Sequence, residues 1–168
     1  WCLGLPASTT VTHTAPGQAA MTRTTGYLVD TAACRITQQV VEPNLPSLKV
    51  VSNYGYDACG NLNSIRTMGG MPDGSPMRAR STSFDYGPRC QLPETVTNSL
   101  GQATRYQWRY EFGVPSQTTD PNGLSTSWTH DDFGRTTGVT AADGGRLSWS
   151  YQSCDGSPCW GANDLQFA

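Results

Sequence analysis

Residues 54–62 read YGYDACGNL: two tyrosines around a glycine, then Asp57, then a glycine three residues later. Read alone, the stretch offers one carboxylate among aromatics. Laid against the rest of the chain, it is one copy of a repeat. RYQWRY (105–110), SWTHDD (127–132) and SWSYQS (148–153) share its frame. Tyr56, Phe84, Trp108, His130 and Tyr151 occupy one column, with Val29 at its head. Tyr54, Tyr106, Trp128 and Trp149 stand two residues earlier. The next column holds Asp30, Asp57, Asp85, Arg109, Asp131 and Gln152, at intervals of 27, 28, 24, 22 and 21 residues. Spacing of this size marks a repeat architecture.

Within each unit the pattern alternates. Thr104, Tyr106, Trp108 and Tyr110 fall on one face, Arg105, Gln107 and Arg109 on the other, which is the period of a half-buried strand. Gly101, Gly123 and Gly144 lie seven residues before Trp108, His130 and Tyr151, in turn-forming contexts. A second glycine follows the aromatic column at Gly60, Gly113 and Gly134. Each unit therefore reads as strand, turn and returning strand, and about 22 residues accommodate two strands of roughly 6–8 residues. Two stretches lengthen the period and read as surface loops: EPNLPSLK (42–49) and RTMGGMPDGSPMRARSTS (66–83).

Composition agrees. Gly and Pro together number 29, charged residues make up 14%, and Lys49 is the one lysine beside ten arginines. Turn formers and β-branched residues favour strands. A net charge of −2 offers no basic footprint for nucleic acid, and no apolar run approaches the ~18 residues of a spanning helix. The six cysteines, at 2, 34, 59, 90, 154 and 159, form no CxxC pair, and His13 and His130 are far apart, so neither a metal site nor a cofactor is expected. An even cysteine count suits an oxidising compartment.

Tyr-Asp, two variable residues, Gly, Arg or Asn, then an apolar residue is the signature of YD repeats. YDACGNL (56–62) fits it, and HDDFGRT (130–136) fits with His for Tyr. FDYGPRCQL (84–92) and VDTAACRI (29–36) fit with altered spacing and a cysteine near the glycine column; TVTNSLGQATRY (95–106) and TDPNGLSTSW (119–128) look like the connecting runs. Over nearly its whole length the chain resembles the RHS (rearrangement hotspot) and YD-repeat family. The resemblance implies an all-β fold: successive antiparallel hairpins winding into a curved spiral sheet that closes, in complete proteins, as a hollow shell around a variable C-terminal toxin. It implies a secreted or cell-surface bacterial protein whose partners are the rest of its own shell and the enclosed effector. Residues 1–168 are then one repeat array, expected to be a fragment of a longer chain that opens in mid-unit at Trp1.

The repeated positions Tyr56, Asp57, Gly60, Phe84, Asp85, Trp108, Gly113, His130, Asp131, Gly134, Trp149 and Tyr151 are expected to be structural. An Asp beside a turn accepts backbone N–H groups. Catalysis by paired carboxylates would need two of them across a cleft, and Asp131 and Asp132, adjacent on an expected strand, would point to opposite faces. The stretch DPNGL (120–124) is similar to a self-cleavage motif of some family members, but it sits in frame as an ordinary turn, and Asp120 is not assigned catalysis. Disulfides are expected between Cys154 and Cys159 across an Asp-Gly turn, and neighbouring rungs could juxtapose Cys2 with Cys34 and Cys59 with Cys90. Two rival functions stand beside the shell wall: a module binding surface glycans or a protein through its aromatic columns or the 66–83 loop, and, ranked last, a glycoside hydrolase.

Overall fold

A computed structural model describes residues 2–71, 73 and 75–152; the expected Cys154–Cys159 bridge lies outside them. The chain is all-β, with twelve strands and a single 3-10 turn at Gly87–Arg89 among the described residues. It divides into two compact units, one spanning residues 1–84 with 97–101, the other 85–96 with 102–168.

In the first unit β1 (Ser8–His13), β2 (Met21–Asp30), β3 (Arg35–Val41), β4 (Val50–Tyr56), β5 (Leu62–Gly69) and β6 (Arg80–Asp85) pair in sequence order, every pair antiparallel. The short β7 (Thr95–Thr97) follows. In the second unit β8 (Ala103–Arg109), β9 (Val114–Thr119), β10 (Ser125–His130), β11 (Thr136–Thr140) and β12 (Arg146–Ser148) repeat the pattern. Loop 42–49 contains no strand, as its prolines imply. The 66–83 stretch is more ordered than expected: β5 runs to Gly69 and β6 begins at Arg80, and the described residues between them hold no strand, apart from a Gly70–Pro76 bridge. Alternation along Leu147, Trp149 and Tyr151 implies a longer last strand than the three residues of β12, although the Trp149 N–H extends the ladder to the Thr137 carbonyl (2.9 Å).

No described residue is buried, so there is no hydrophobic core in the usual sense. The strands are half-exposed ribbons, and stability comes from ladder hydrogen bonds and cross-strand side-chain pairs, each worth ~0.2–1 kcal/mol. Polar side chains fill this role: hydroxyl pairs join Thr12 to Thr22 (3.1 Å), Ser52 to Thr67 (3.0 Å) and Thr119 to Ser125 (2.8 Å), and the Gln38 amide donates to Asn53 (2.8 Å). Tyr106 and Trp108, two apart on one face, stack at 5.7 Å.

Sequence inspection missed one recurring element. Four hairpins carry a bulge at the same place, where the register slips at Leu28/Val29, Gly55/Tyr56, Gln107/Trp108 and Thr129/His130. The pairing skips Thr37, Asn63, Ser116 and Thr137 on the returning strand. All four are small and polar. A bulge bends its strand and increases the local twist, so this slip puts the same twist into each of the four hairpins.

The Cys2–Cys34 disulfide, whose Cα atoms are 5.0 Å apart, ties the start of the chain to the β2–β3 turn. In the chain-entropy picture a closure across 32 residues contributes about 3–4 kcal/mol. No described cysteine is a free thiol.

Turn glycines and strand glycines separate cleanly. A Cβ on Gly123 or on Gly26 would meet nothing within 4 Å, but only Gly123 has a left-handed φ, +84°. Gly123→Ala is therefore expected to lower unfolding free energy by about 1–2 kcal/mol, and Gly26→Ala to leave it unchanged or slightly raised. Urea unfolding of the two variants compares a purely conformational cost with its control.

Candidate functional site

The most elaborate local structure is the repeated turn after the aromatic column. At Asp57 the Oδ1 atom accepts the N–H groups of Cys59 (2.9 Å) and Asn61 (2.8 Å). The backbone closes the same loop, with Asp57 N–H donating to the Asn61 carbonyl (2.9 Å) and Gly60 N–H to the Asp57 carbonyl (3.1 Å). Asp131 does the same with Phe133 (3.0 Å) and Arg135 (2.9 Å), and Gly134 takes the left-handed position at φ +77°. Asp120, in the DPNGL stretch, does so with Asn122 (2.9 Å) and Leu124 (2.8 Å). The three aspartates therefore have one task, and the hairpin ends at both sides of β10 use the same five-residue device.

Other copies vary it. Asn98 replaces Asp and accepts the Leu100 N–H (2.9 Å). Asp30 accepts from Ala32 (3.0 Å) and Ala33 (3.2 Å), one residue earlier, because its turn is a residue longer. Cys34 then occupies the left-handed position at φ +49°, as Cys90 does at +54° after Asp85 and Gly87–Arg89. In the β11–β12 turn the backbone closes in the same way, from Ala141 to Gly145 (2.8 Å), but Ala141 supplies no acceptor. Arg109 also lacks one; its turn closes through Gly113 N–H to the Arg109 carbonyl (2.9 Å), and its guanidinium pairs with Glu111 (3.1 Å).

A second contact joins each of two turns to the aromatic of the following repeat. Arg135 pairs with Asp131 Oδ2 and lies over the Tyr151 ring, 4.4 Å from its centroid. The Tyr151 hydroxyl donates to the Thr136 carbonyl (2.9 Å). In the first unit Arg35 stands 3.5 Å from Asp30 and 4.4 Å over Tyr56, whose hydroxyl donates to the Ile36 carbonyl (2.6 Å). Turn, arginine and next tyrosine thus form a clasp between consecutive repeats. A cation–π contact of this exposure contributes about 0.5–1 kcal/mol. A variant holds Trp108, whose indole N–H donates to the Pro93 carbonyl (2.9 Å), and Tyr110, which donates to Glu94 (2.6 Å) under Arg89 (4.5 Å). The Glu94 hydrogen bond, with burial adding to it, raises the Tyr110 phenol above its ordinary range.

These positions offer little acid–base chemistry. Burial pushes the Asp131 carboxyl up, but the Arg135 and Phe133 N–H groups and the Arg135 side chain outweigh it and hold it below the usual range. Asp131 and Asp132 lie in a turn rather than on the expected strand, because β10 ends at His130. No group of three potential metal ligands occurs among the described residues. Phe84 is the last-but-one residue of β6, beside Asp85, His130 precedes Asp131 with its carbonyl accepting from Arg109 (3.2 Å), and Trp149 extends the β11–β12 ladder. The sequence frame did not reveal Arg35 and Arg135 as the bridging residues, though the arginine of the YD signature was the available cue.

The RHS Repeat family model matches residues 115–146, from β9 to the start of β12. No curated protein matches the chain.

Removing the acceptor in Asp57→Ala should cost about 1 kcal/mol. Supplying one in Ala141→Asn should add about 0.5–1 kcal/mol. Chemical unfolding of both checks that the acceptor, rather than the residue's place in the repeat, is what counts. The Asp131 carboxyl is depressed when folded, so its contribution is complete above the ordinary carboxyl pKa of ~4 and declines as pH falls through the folded value. Amide shifts of Phe133 and Arg135 should accordingly stay constant above pH ~5 and move together only in more acidic solution.

Proposed function

We propose that this chain, whose residues 115–146 match the RHS Repeat family model, is a non-catalytic stretch of shell wall, part of a longer array that encloses or delivers a C-terminal effector. The observation that carries this reading is the clasp: Arg35 and Arg135 engage the tyrosine of the following repeat, so each repeat supplies part of its neighbour's structure. Such a device suits indefinite extension, in which units that cannot bury an apolar face alone gain stability from the next. RHS repeats are a structural repeat family generally associated with extracellular or cell-surface proteins, and the Cys2–Cys34 disulfide fits an oxidising compartment. No helix among the described residues is long and apolar enough to cross a membrane.

The rival readings draw less support. A glycan platform needs free aromatic faces, whereas guanidinium groups lie over Tyr56 and Tyr151. A glycoside hydrolase needs two carboxylates converging on a cleft, whereas Asp57, Asp120 and Asp131 each bind their own turn.

In the full-length protein, the segment following the array should resist protease while the repeats are folded and become sensitive once they are unfolded. The double variant Arg135→Ala, Tyr151→Phe should bring that sensitivity to lower denaturant. Equal cleavage in the folded and unfolded protein would remove the enclosing role.

A further inference from the structure

Two insertions interrupt the repeat, residues 42–49 between β3 and β4 and residues 70–79 between β5 and β6. Neither serves the strand ladder, yet the structure packs them together. The Gly70 N–H donates to the Lys49 carbonyl (3.1 Å), and a Cβ on Gly70 would run into the Pro46 carbonyl. Glycine at 70 thus lets the second insertion close on the first. Within the second, the Met77 N–H returns to the Gly69 carbonyl (2.8 Å), and a Cβ on Gly69 would stand 3.1 Å from the Met77 sulfur. The pair form one ledge at the open end of the β4–β5 hairpin, beside the Val50–Gly69 pair.

The ledge presents apolar side chains to solvent: Leu45 (47% exposed), Leu48 (60%), Met71 (41%) and Met77 (43%). Their backbone is already satisfied. Leu45 N–H donates to the Glu42 carbonyl (3.2 Å), Leu48 N–H to the Leu45 carbonyl (2.9 Å) and Met71 N–H to the Ser75 carbonyl (2.7 Å), with Met77 bonded as above. Each of the four can therefore leave water without stranding its own amide donor. Around them Lys49, the chain's one lysine, Arg78 and Arg80 are exposed, and none forms an ion pair among the described residues. Two carboxylates share the ledge, Glu42 and Asp73. Asp73 is occupied locally by the Ser75 N–H (2.9 Å) and hydroxyl (2.7 Å). Cations thus outnumber carboxylates by three to two.

We propose that this ledge docks the chain on an anionic lipid surface, with Leu45, Leu48, Met71 and Met77 entering the headgroup boundary and Lys49, Arg78 and Arg80 meeting the lipid phosphates. Apolar groups backed by basic residues bind such surfaces through both terms at once. The four apolar residues stand on turns and irregular backbone, so they offer a partner strand or helix no regular row to match. A fluid hydrocarbon layer requires no such register. The repeats are built without the ledge, so the inference goes beyond the shell-wall reading and does not depend on it.

The test is co-sedimentation of the chain at low salt with phosphatidylcholine vesicles, with and without phosphatidylserine. The chain should bind the mixed vesicles, bind phosphatidylcholine alone more weakly, and lose the difference as salt screens the charges. Lys49→Gln and Arg78→Gln should each weaken binding to the mixed vesicles about fivefold. The double variant Leu45→Ser, Leu48→Ser should weaken it at least about tenfold. Arg146→Gln, exposed but outside the ledge, should leave binding unchanged. Urea unfolding of each variant checks that the fold is intact; should the leucine variant unfold more easily, Lys49→Gln and Arg78→Gln decide. Absence of binding to the mixed vesicles, undiminished binding in the ledge variants, or an equal loss in Arg146→Gln would each overturn the proposal.

Discussion

The structure depends on one contact repeated along the chain: a carboxylate oxygen that accepts two amides of the turn that follows it. At Asp57, Asp120 and Asp131 the second accepted N–H belongs to the residue four places on, where the strand turns back. In a protein with a dense core, such a contact would be one small term among many. Here no described residue is buried, and the turn sets the register that each hairpin then follows. A one-residue slip would put the aromatic column on the wrong face and break its contact with the preceding repeat.

The absence of a core changes what sequence variation can do. Cutting a large side chain from a packed interior creates a cavity, but these ribbons have no interior to lose. Their weak points are the left-handed turn positions and the cross-strand pairs. Where glycine is replaced, at Cys34 and Cys90, the cysteine accepts a strained backbone (φ +49° and +54°). For Cys34 the disulfide to Cys2 offsets that cost, which is of order 1–2 kcal/mol.

The bulges and the clasps act on different scales. A bulge fixes the twist of one hairpin. A clasp couples one repeat to the next through Arg35 or Arg135. Their regular recurrence gives each hairpin the same local geometry, as an extended array of equivalent units requires. Gly138 departs from this regularity. The corresponding places in other repeats hold Gln38, Ser64 and Gln117, so the strand glycine is not part of the repeat's own construction.

Much of this was legible in the chain itself. The aromatic and Asp columns determined the strand period, the order of hairpins and the turn positions, because side-chain alternation and turn chemistry are local properties that a sequence carries directly. The expectation that the aspartates accept turn amides rested on the same logic, since an Asp beside a turn has backbone N–H groups within reach. Three features were decided only by the tertiary structure. The extra residue at Thr37, Asn63, Ser116 and Thr137 depends on which partner each strand meets, and small polar residues in a Thr-rich run give no local sign of a slip. The Arg135–Tyr151 contact joins residues 16 apart whose meeting follows from β11 and β12 lying side by side. The row of Ser127, Thr140 and Arg146 across β10, β11 and β12 is set by antiparallel pairing, a juxtaposition that no single strand contains.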